Sequence, residues 1–327
     1  MKNYLKALIL AAIAVAACTP PAPEEGAKTV NLRVSASSPL DTKASTIKDA
    51  QINSIQVFIF SGSGTLEGWK RADGASVEVS SLTGEKIIWA VVNAPEISIA
   101  PGESEEVLKA IRSDLKDNST TSLVMTGRRT YMVSGGGSVS VAVDRIPAKI
   151  SVGSICVRFQ GTSLEGKPFI VKDVYLRNVA GEQNIGGTFV PTKNSLWYNK
   201  IVRSSSGASS VIADTGLSIT CPENTAKELG FLYLAYPNPT ADDARDNSWT
   251  SIRRTHLMIH ATIGGTDTFY PFALPVIERN HIYNVRSITI SMKGNDNESD
   301  PPIETGGLGM SVTVNPWNGE DEISYSL

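Results

Sequence analysis

The sequence predicts an all-β protein with one minor helix, built as two tandem β-sandwich domains. Three observations carry this reading. Apolar residues recur at every second position along most of the chain after Lys28, the period of a strand with one buried face. Clusters of Gly, Pro, Asn and Ser separate the alternating stretches, as turns between strands require. The chain has 327 residues, enough for two domains that each bury a core.

Charged residues make up 19% of the chain and the hydrophobic set 41%, a globular rather than a disordered composition. With a formal net charge of -3, nothing points to a nucleic-acid or anionic-membrane surface. No nucleic-acid partner is expected.

The first residues are an address. Met1 to Lys6 is short and basic, and Ala7 to Ala17 is unbroken apolar sequence. That core is too short to cross a bilayer as a helix, which takes about 20 residues, but suits a signal peptide. It ends Val15-Ala16-Ala17-Cys18, small residues before a cysteine, the pattern of a bacterial lipobox. Residues 1–17 are read as the signal peptide and Cys18 as the lipidated new N-terminus. An ordinary secreted protein with a chance cysteine is the competing reading. Each buried CH₂ contributes about 0.8 kcal/mol, so two or three acyl chains hold a protein on a membrane almost permanently. Residues 18–29 read as a flexible tether, because Pro20, Pro21, Pro23 and Gly26 prevent regular structure.

The first domain is placed at 30–145. Val30, Leu32, Val34 and Ala36 share one strand face, with Asn31, Arg33 and Ser35 on the other. Ile52 to Phe60 begins alternating and ends as an apolar run before Ser61-Gly62-Ser63-Gly64. Ile87 to Val92 is closed by Asn93-Ala94-Pro95, and Val139, Val141 and Val143 follow a glycine turn. Glu103 to Lys116 breaks the rule: Val107, Leu108, Ile111 and Leu115 stand at helical spacing after Pro101-Gly102, which predicts one amphipathic helix. The second domain is placed at 146–327, with strands at 149–159, 169–178, 230–236, 256–263, 269–274 and 281–292. Polar loops are expected at 203–210 and 237–248.

Chemistry is sparse. His256 and His260 lie four apart on a strand, without the glutamate of a zinc-protease motif or a third ligand nearby; two partly exposed strand histidines are expected. His281 heads a strand with no evident partner. No nucleophile elbow, phosphate loop or dinucleotide glycine pattern occurs. Residues 242–246 and 295–300 are acidic enough to hold calcium but lack EF-hand spacing. No catalytic residue, metal site or cofactor is assigned, and the chain is not expected to be an enzyme. Cys156 and Cys221 can pair in an oxidising compartment only if their Cα atoms approach within about 7 Å; two separate buried thiols are the other reading.

Several segments, in order, resemble the Bacteroidetes fimbrillin superfamily, whose members build type V pili. They are the lipobox tether, Asp41-Thr42-Lys43-Ala44 before the strand ending at Phe60, Trp89 to Pro95, Leu123 to Gly127, Arg145 to Ile150, Val174 to Val179, Arg279 to Val285, and Val312 to Trp317. They span nearly the whole mature chain. The resemblance implies two transthyretin-like Greek-key β-sandwiches, export to the outer membrane as a surface-exposed lipoprotein, and a fimbrium after processing. It also implies polymerisation by strand exchange with other fimbrial subunits.

In that family a protease cuts after a basic residue beyond the first strand, which then leaves. Here the cut falls between Lys43 and Ala44, and the displaced strand carries Val30, Leu32, Val34 and Ala36. Stripping three such side chains from a core costs roughly 5–9 kcal/mol, comparable with the usual stability of a domain, about 5–15 kcal/mol. A groove of unpaired backbone groups would remain. The candidate donor strand is C-terminal: Met310, Val312 and Val314 alternate with polar residues, and Ile323, Tyr325 and Leu327 resume the pattern. Such a segment can enter a neighbour's groove by β-augmentation. The competing arrangement is that both segments complete the chain's own sheets.

One departure matters. The family's best-known processing enzymes prefer arginine, and this chain offers Lys43. Arg33 and Arg71 are alternatives, but Arg33 lies mid-strand and neither follows the first strand as closely. The leading reading is a structural subunit of a fimbria that supports adhesion. The alternatives are an uncleaved anchor subunit, or a monomeric lipid-anchored adhesin or glycan-binding lipoprotein that meets host or bacterial surface glycans or proteins. For the last, Trp249 and Trp197-Tyr198 are candidate contacts. A surface hydrolase is the weakest reading.

Overall fold

A computed structural model describes residues 28–37, 50–199, 209–241, 253–298, 308–317 and 323–326. The first half runs β1 (Thr29–Ser37), β2 (Ser54–Ser61), β3 (Leu66–Asp73), β4 (Ser76–Leu82), β5 (Gly84–Val92), α1 (Glu105–Ala110), β6 (Arg112–Asp114), β7 (Met125–Val133), β8 (Gly137–Ala142) and β9 (Asp144–Arg145). The second half opens with β10 (Ala148–Val157), β11 (Phe169–Arg177), β12 (Val179–Ala180), β13 (Glu182–Asn184) and β14 (Trp197–Tyr198). It continues through α2 (Ser209–Ile212), β15 (Ala213–Asp214), β16 (Ile219–Thr220) and β17 (Lys227–Ala235). It closes with β18 (His256–Ile263), β19 (Thr266–Ala273), β20 (His281–Ile290), β21 (Leu308–Pro316) and β22 (Ile323–Ser326). The protein is mostly β, as the alternation predicts.

In the first half a three-stranded sheet, β4-β1-β8, faces a five-stranded sheet, β3-β2-β5-β7-β9. Leu32 and Val34 meet Val77, Val79, Val139, Val141, Ile55, Val57, Ile88 and Ala90 in one buried cluster between them. Strand β2 is buried on both faces: Ile55, Val57 and Ile59 enter this cluster, while Phe58 and Phe60 enter a second one. That double burial is why its sequence turns from alternation to a continuous apolar run. Asn93 closes β5 in the left-handed conformation at φ 58, which asparagine tolerates. Its side chain accepts from the Asn53 amide at 2.8 Å and donates to the Gln51 and Leu123 carbonyls at 2.9 and 3.0 Å.

In the second half the sheet β17-β10-β20-β21-β22 lies over β15-β11-β18-β19, with β16 also pairing to β11. Ile150, Val152, Ile155, Val285, Ile288, Met310 and Val312 of the first sheet share one cluster with Phe169, Val171, Val174, Leu257, Ile259 and Tyr270 of the second. The same cluster continues through Leu108, Leu115, Trp89 and Phe60 of the first half. Apolar packing therefore runs across the 145/146 boundary drawn from the sequence.

Polar contacts also cross that line. Strand β6 pairs with β13, and Ser113 Oγ lies 2.7 Å from Tyr236 Oη, which also accepts from Asn118 Nδ2 at 3.0 Å. Arg279 donates to Thr126 Oγ1 at 3.0 Å. At the junction itself, Trp317 lies 4.7 Å from the Arg145 guanidinium and 4.6 Å from Lys149 Nζ, measured from its ring centroid.

Two expectations about helices need correction. The single helix expected over 103–116 is only Glu105–Ala110. Ile111 turns extended at ψ 134, and Arg112–Asp114 forms β6 instead. A helix of six residues has little stability of its own, so the ladder offered by Glu182–Asn184 decides the conformation. Leu108 and Leu115 are fully buried as predicted, but Val107 is 39% exposed. Part of the loop expected at 203–210 is the start of α2, whose Val211 and Ile212 are buried.

Candidate functional site

Strand β1 occupies the middle of its sheet. It runs antiparallel to β4 from Thr29↔Leu82 to Ser35↔Ser76, and parallel to β8 from Leu32↔Gly137 to Ser37↔Ala142. Leu32 and Val34 are at most 1% exposed and Ala36 is buried, whereas Val30 is half-buried at the rim. Each buried side chain lies beside apolar partners: Leu32 opposite Val79, Val34 between Val77 and Val139, Ala36 beside Val141. A strand so placed contributes two backbone ladders and a row of side chains. Its loss would leave β4 and β8 with facing unpaired edges.

Arg33 lies mid-strand and donates to Ser76 Oγ at 3.2 Å; Arg71 lies within β3. Cys18, Lys43, Ala44, Trp249 and Leu327 lie outside the described residues.

The C-terminal segment is folded into its own half. Strand β21 pairs antiparallel with β20 from His281↔Pro316 to Ile290↔Leu308, and Met310, Val312 and Val314 are buried. Strand β22 forms the sheet edge, with Ile323 opposite Val314 and Tyr325 opposite Val312. Both candidate exchange segments therefore complete the chain's own sheets in this structure.

The possible disulfide is absent. Cys156 and Cys221 are both free. The alternation of β10 turns Ile155 and Val157 into the core and Cys156 away from it, half-buried. Cys221 is buried inside that core, and burial pushes its thiol up to about 11. The two thiols thus lie on opposite faces of a sheet.

The histidines are held by neighbours. His256 is 1% exposed, a correction to the partial exposure expected for it. His260 bridges Asp173 and Asp267, with Nδ1 at 2.5 Å and Nε2 at 3.0 Å from their carboxylates, and its ring stacks on Phe269 at 4.5 Å. The two acids occupy opposite ring nitrogens and do not converge on one point. His281 Nδ1 donates to the Arg279 carbonyl, 2.7 Å away, so it has a partner the sequence did not suggest. Among the described residues no group of three His, Cys, Asp or Glu could hold a metal.

Trp197 is half-buried and donates to the Thr192 carbonyl at 2.7 Å; Tyr198 is buried and donates to Asp114. Burial, then the Asp114 carboxylate, pushes the Tyr198 phenol up. This tyrosine joins the two halves and presents no free face.

No family model matches the chain, and no curated protein matches it. Solved structures do. A fimbrilin from Porphyromonas gingivalis W83 aligns with a TM-score of 0.64 at 15% identity, over 88% of this chain and 97% of that one. A candidate cell adhesion protein from Bacteroides eggerthii aligns at 0.63 and 18%, over 89% and 96%. Another from Parabacteroides distasonis aligns at 0.64 and 15%, over 89% and 100%. The chain shares their fold along nearly its whole length, which extends the resemblance of scattered sequence segments to the architecture.

Proposed function

We propose that this chain, whose fold is that of the Bacteroidetes fimbrilins, is a structural subunit of a surface fimbria. In this reading it is exported as an outer-membrane lipoprotein through Cys18 and assembled by protease-triggered strand exchange. Its partners are other fimbrial subunits, and the polymer supports adhesion.

The observation that carries the reading is the position of β1. It is the central strand of its sheet, and its last residue, Ser37, precedes Lys43 by six positions. Cleavage at Lys43 would free a strand whose removal opens a groove lined by Val77, Val79, Val139 and Val141. The C-terminal strands supply an alternating segment of the same kind, with β22 at a sheet edge where it is least costly to detach.

The test is the N-terminal sequence and intact mass of the protein recovered from the cell surface. The expected result is a start at Ala44 and a ladder of polymers that survives mild heating in detergent, with Lys43→Ala abolishing both. A lipidated start at Cys18 in a monomer overturns the shaft-subunit reading and leaves an uncleaved anchor or a monomeric adhesin.

A further inference from the structure

Strand β1 is tied along its whole length to residues that follow it in the chain. Its ladders run to β4 from Thr29 to Ser35 and to β8 from Leu32 to Ser37. Both ends are fixed as well. The Thr83 amide donates to the Lys28 carbonyl at 2.9 Å, and the Lys28 amide donates to Thr83 Oγ1 at 3.0 Å. At the other end Ala36 donates to the Ala75 carbonyl at 2.9 Å, and Val143 donates to the Ser37 carbonyl at 3.0 Å. On the outward face Arg33 donates to Ser76 Oγ at 3.2 Å, Ser80 to Asn31 Oδ1 at 3.1 Å and Ser140 to Ser37 Oγ at 3.3 Å. On the inward face Leu32, Val34 and Ala36 share a core with Ile55, Val57, Val77, Val79, Val139 and Val141.

All of these partners lie beyond Ala44 in the chain. Hydrolysis of the Lys43–Ala44 peptide bond consumes one water and leaves a carboxylate on Lys43 and an amine on Ala44. It cuts the covalent path from β1 to the rest of the protein and breaks none of the contacts just described. A strand in the middle of a sheet leaves only by giving up both ladders while its apolar row meets water. An edge strand such as β22 gives up only one ladder.

We infer that the cut subunit stays seated on its own β1, and that displacement of β1 by another strand, rather than the cut itself, releases it from the membrane. The inference rests on the fimbrial reading above, in which Cys18 carries the lipid and Lys43 is the cut site, and it adds a regulatory step to that reading. After the cut, the lipid stays with β1, and two or three acyl chains hold that fragment on the membrane almost permanently. The rest of the subunit is then anchored only through the noncovalent seat of β1. Whatever displaces β1 must offer one backbone ladder on each side and an alternating apolar row, which is the description of another strand. Until it arrives, β4 and β8 present no unpaired inner edges to chance partners.

The experiment uses the lipidated full-length chain in vesicles of phosphatidylethanolamine and phosphatidylglycerol, with a site-specific protease sequence inserted after Lys43. Cutting is followed by intact mass, and the vesicles are then sedimented. The body of the protein beyond the cut is expected in the pellet even when cutting is complete. An excess of free peptide of residues 28–37 should replace the seated strand and move the body to the supernatant. The same peptide with Leu32→Asp and Val34→Asp should not. Leu32→Ala, shown to be folded before the cut, should speed release after it by roughly 30-fold or more, since Leu32 is 1% exposed. A body found in the supernatant as soon as the bond is cut overturns the inference. That outcome leaves the fimbrial reading standing, because the latter is judged on the Ala44 start of polymers recovered from cells. A body that stays in the pellet against excess peptide also overturns the inference, since something other than β1 then holds it. So does an uncut chain that fails to sediment, since β1 then carries no anchor.

Discussion

Trp317, just past the end of β21, stacks on the fully buried guanidinium of Arg145, the residue that ends the first half. Its amide donates to the Asn280 carbonyl at 2.7 Å, and the Asn280 amide donates to Pro147 at 3.3 Å. One ring thus fixes the end of β21, the start of β20 and the junction between halves. Trp317→Ala should cost about 3–5 kcal/mol through the lost volume, with up to about 2 kcal/mol attributable to the desolvated cation–π contact. Denaturant titration measures this. Lys149→Met, which keeps the stem and removes one cation, should cost much less. Equal losses for the two would show that the ring's contact with the cations, rather than its volume, dominates.

Removal of β1 supplies the second prediction. Leu32→Ala should destabilise the intact chain by about 2–5 kcal/mol, since Leu32 is 1% exposed in the cluster between two sheets. A chain beginning at Ala44 should unfold at a markedly lower temperature than the intact one. A peptide of residues 308–327 added in trans should raise that temperature, and one with Val312 and Val314 changed to Asp should not. If neither peptide has an effect, the C-terminus is not the donor.

Glu105 gives a pH dependence with a defined sign. Burial by itself pushes its carboxyl up. Hydrogen bonds from Arg128 at 2.7 Å and Trp89 at 2.8 Å, with the charges of Arg128 and Lys109, outweigh burial and hold it below 4.5. A folded value below the unfolded one stabilises the fold fully above the unfolded value, and that stability is lost as pH falls through the folded value. The unfolding temperature of the natural chain should therefore drop more steeply than that of Glu105→Gln as pH is lowered below about 4.5. Parallel curves would mean that Glu105 titrates alike in both states.

The two thiols should differ in reactivity. In the folded chain an alkylating reagent should modify Cys156, which is half-buried, and spare Cys221, which is buried with its thiol pushed up to about 11. Intact mass of a chain that starts after Cys18 should show one adduct before denaturation and two after it. A mass two protons lighter that resists alkylation would reveal a disulfide and contradict the opposed faces of β10.

Much of the fold was legible because strand faces announce themselves locally. The spans read for 256–263, 281–292 and 149–159 match β18, β20 and β10 to within two residues at each end, since burial on one face writes a period of two. Strand β3 was missed because its register slips between Ile59 and Phe60 of its partner, which breaks the alternation of Leu66 and Trp69.

What the sequence determined by itself is local: which residues face a core and where turns interrupt them. The alternation of apolar and polar side chains is a property of neighbours in the chain, so it survives without knowledge of the fold. What the tertiary structure decided is which strands meet. It set β1 parallel to β8 and antiparallel to β4, drew Arg112–Asp114 out of a helix to pair with β13, and seated Trp317 on Arg145 across 172 positions of sequence. Those choices turn on the total burial and backbone pairing of the whole chain, which no single segment encodes.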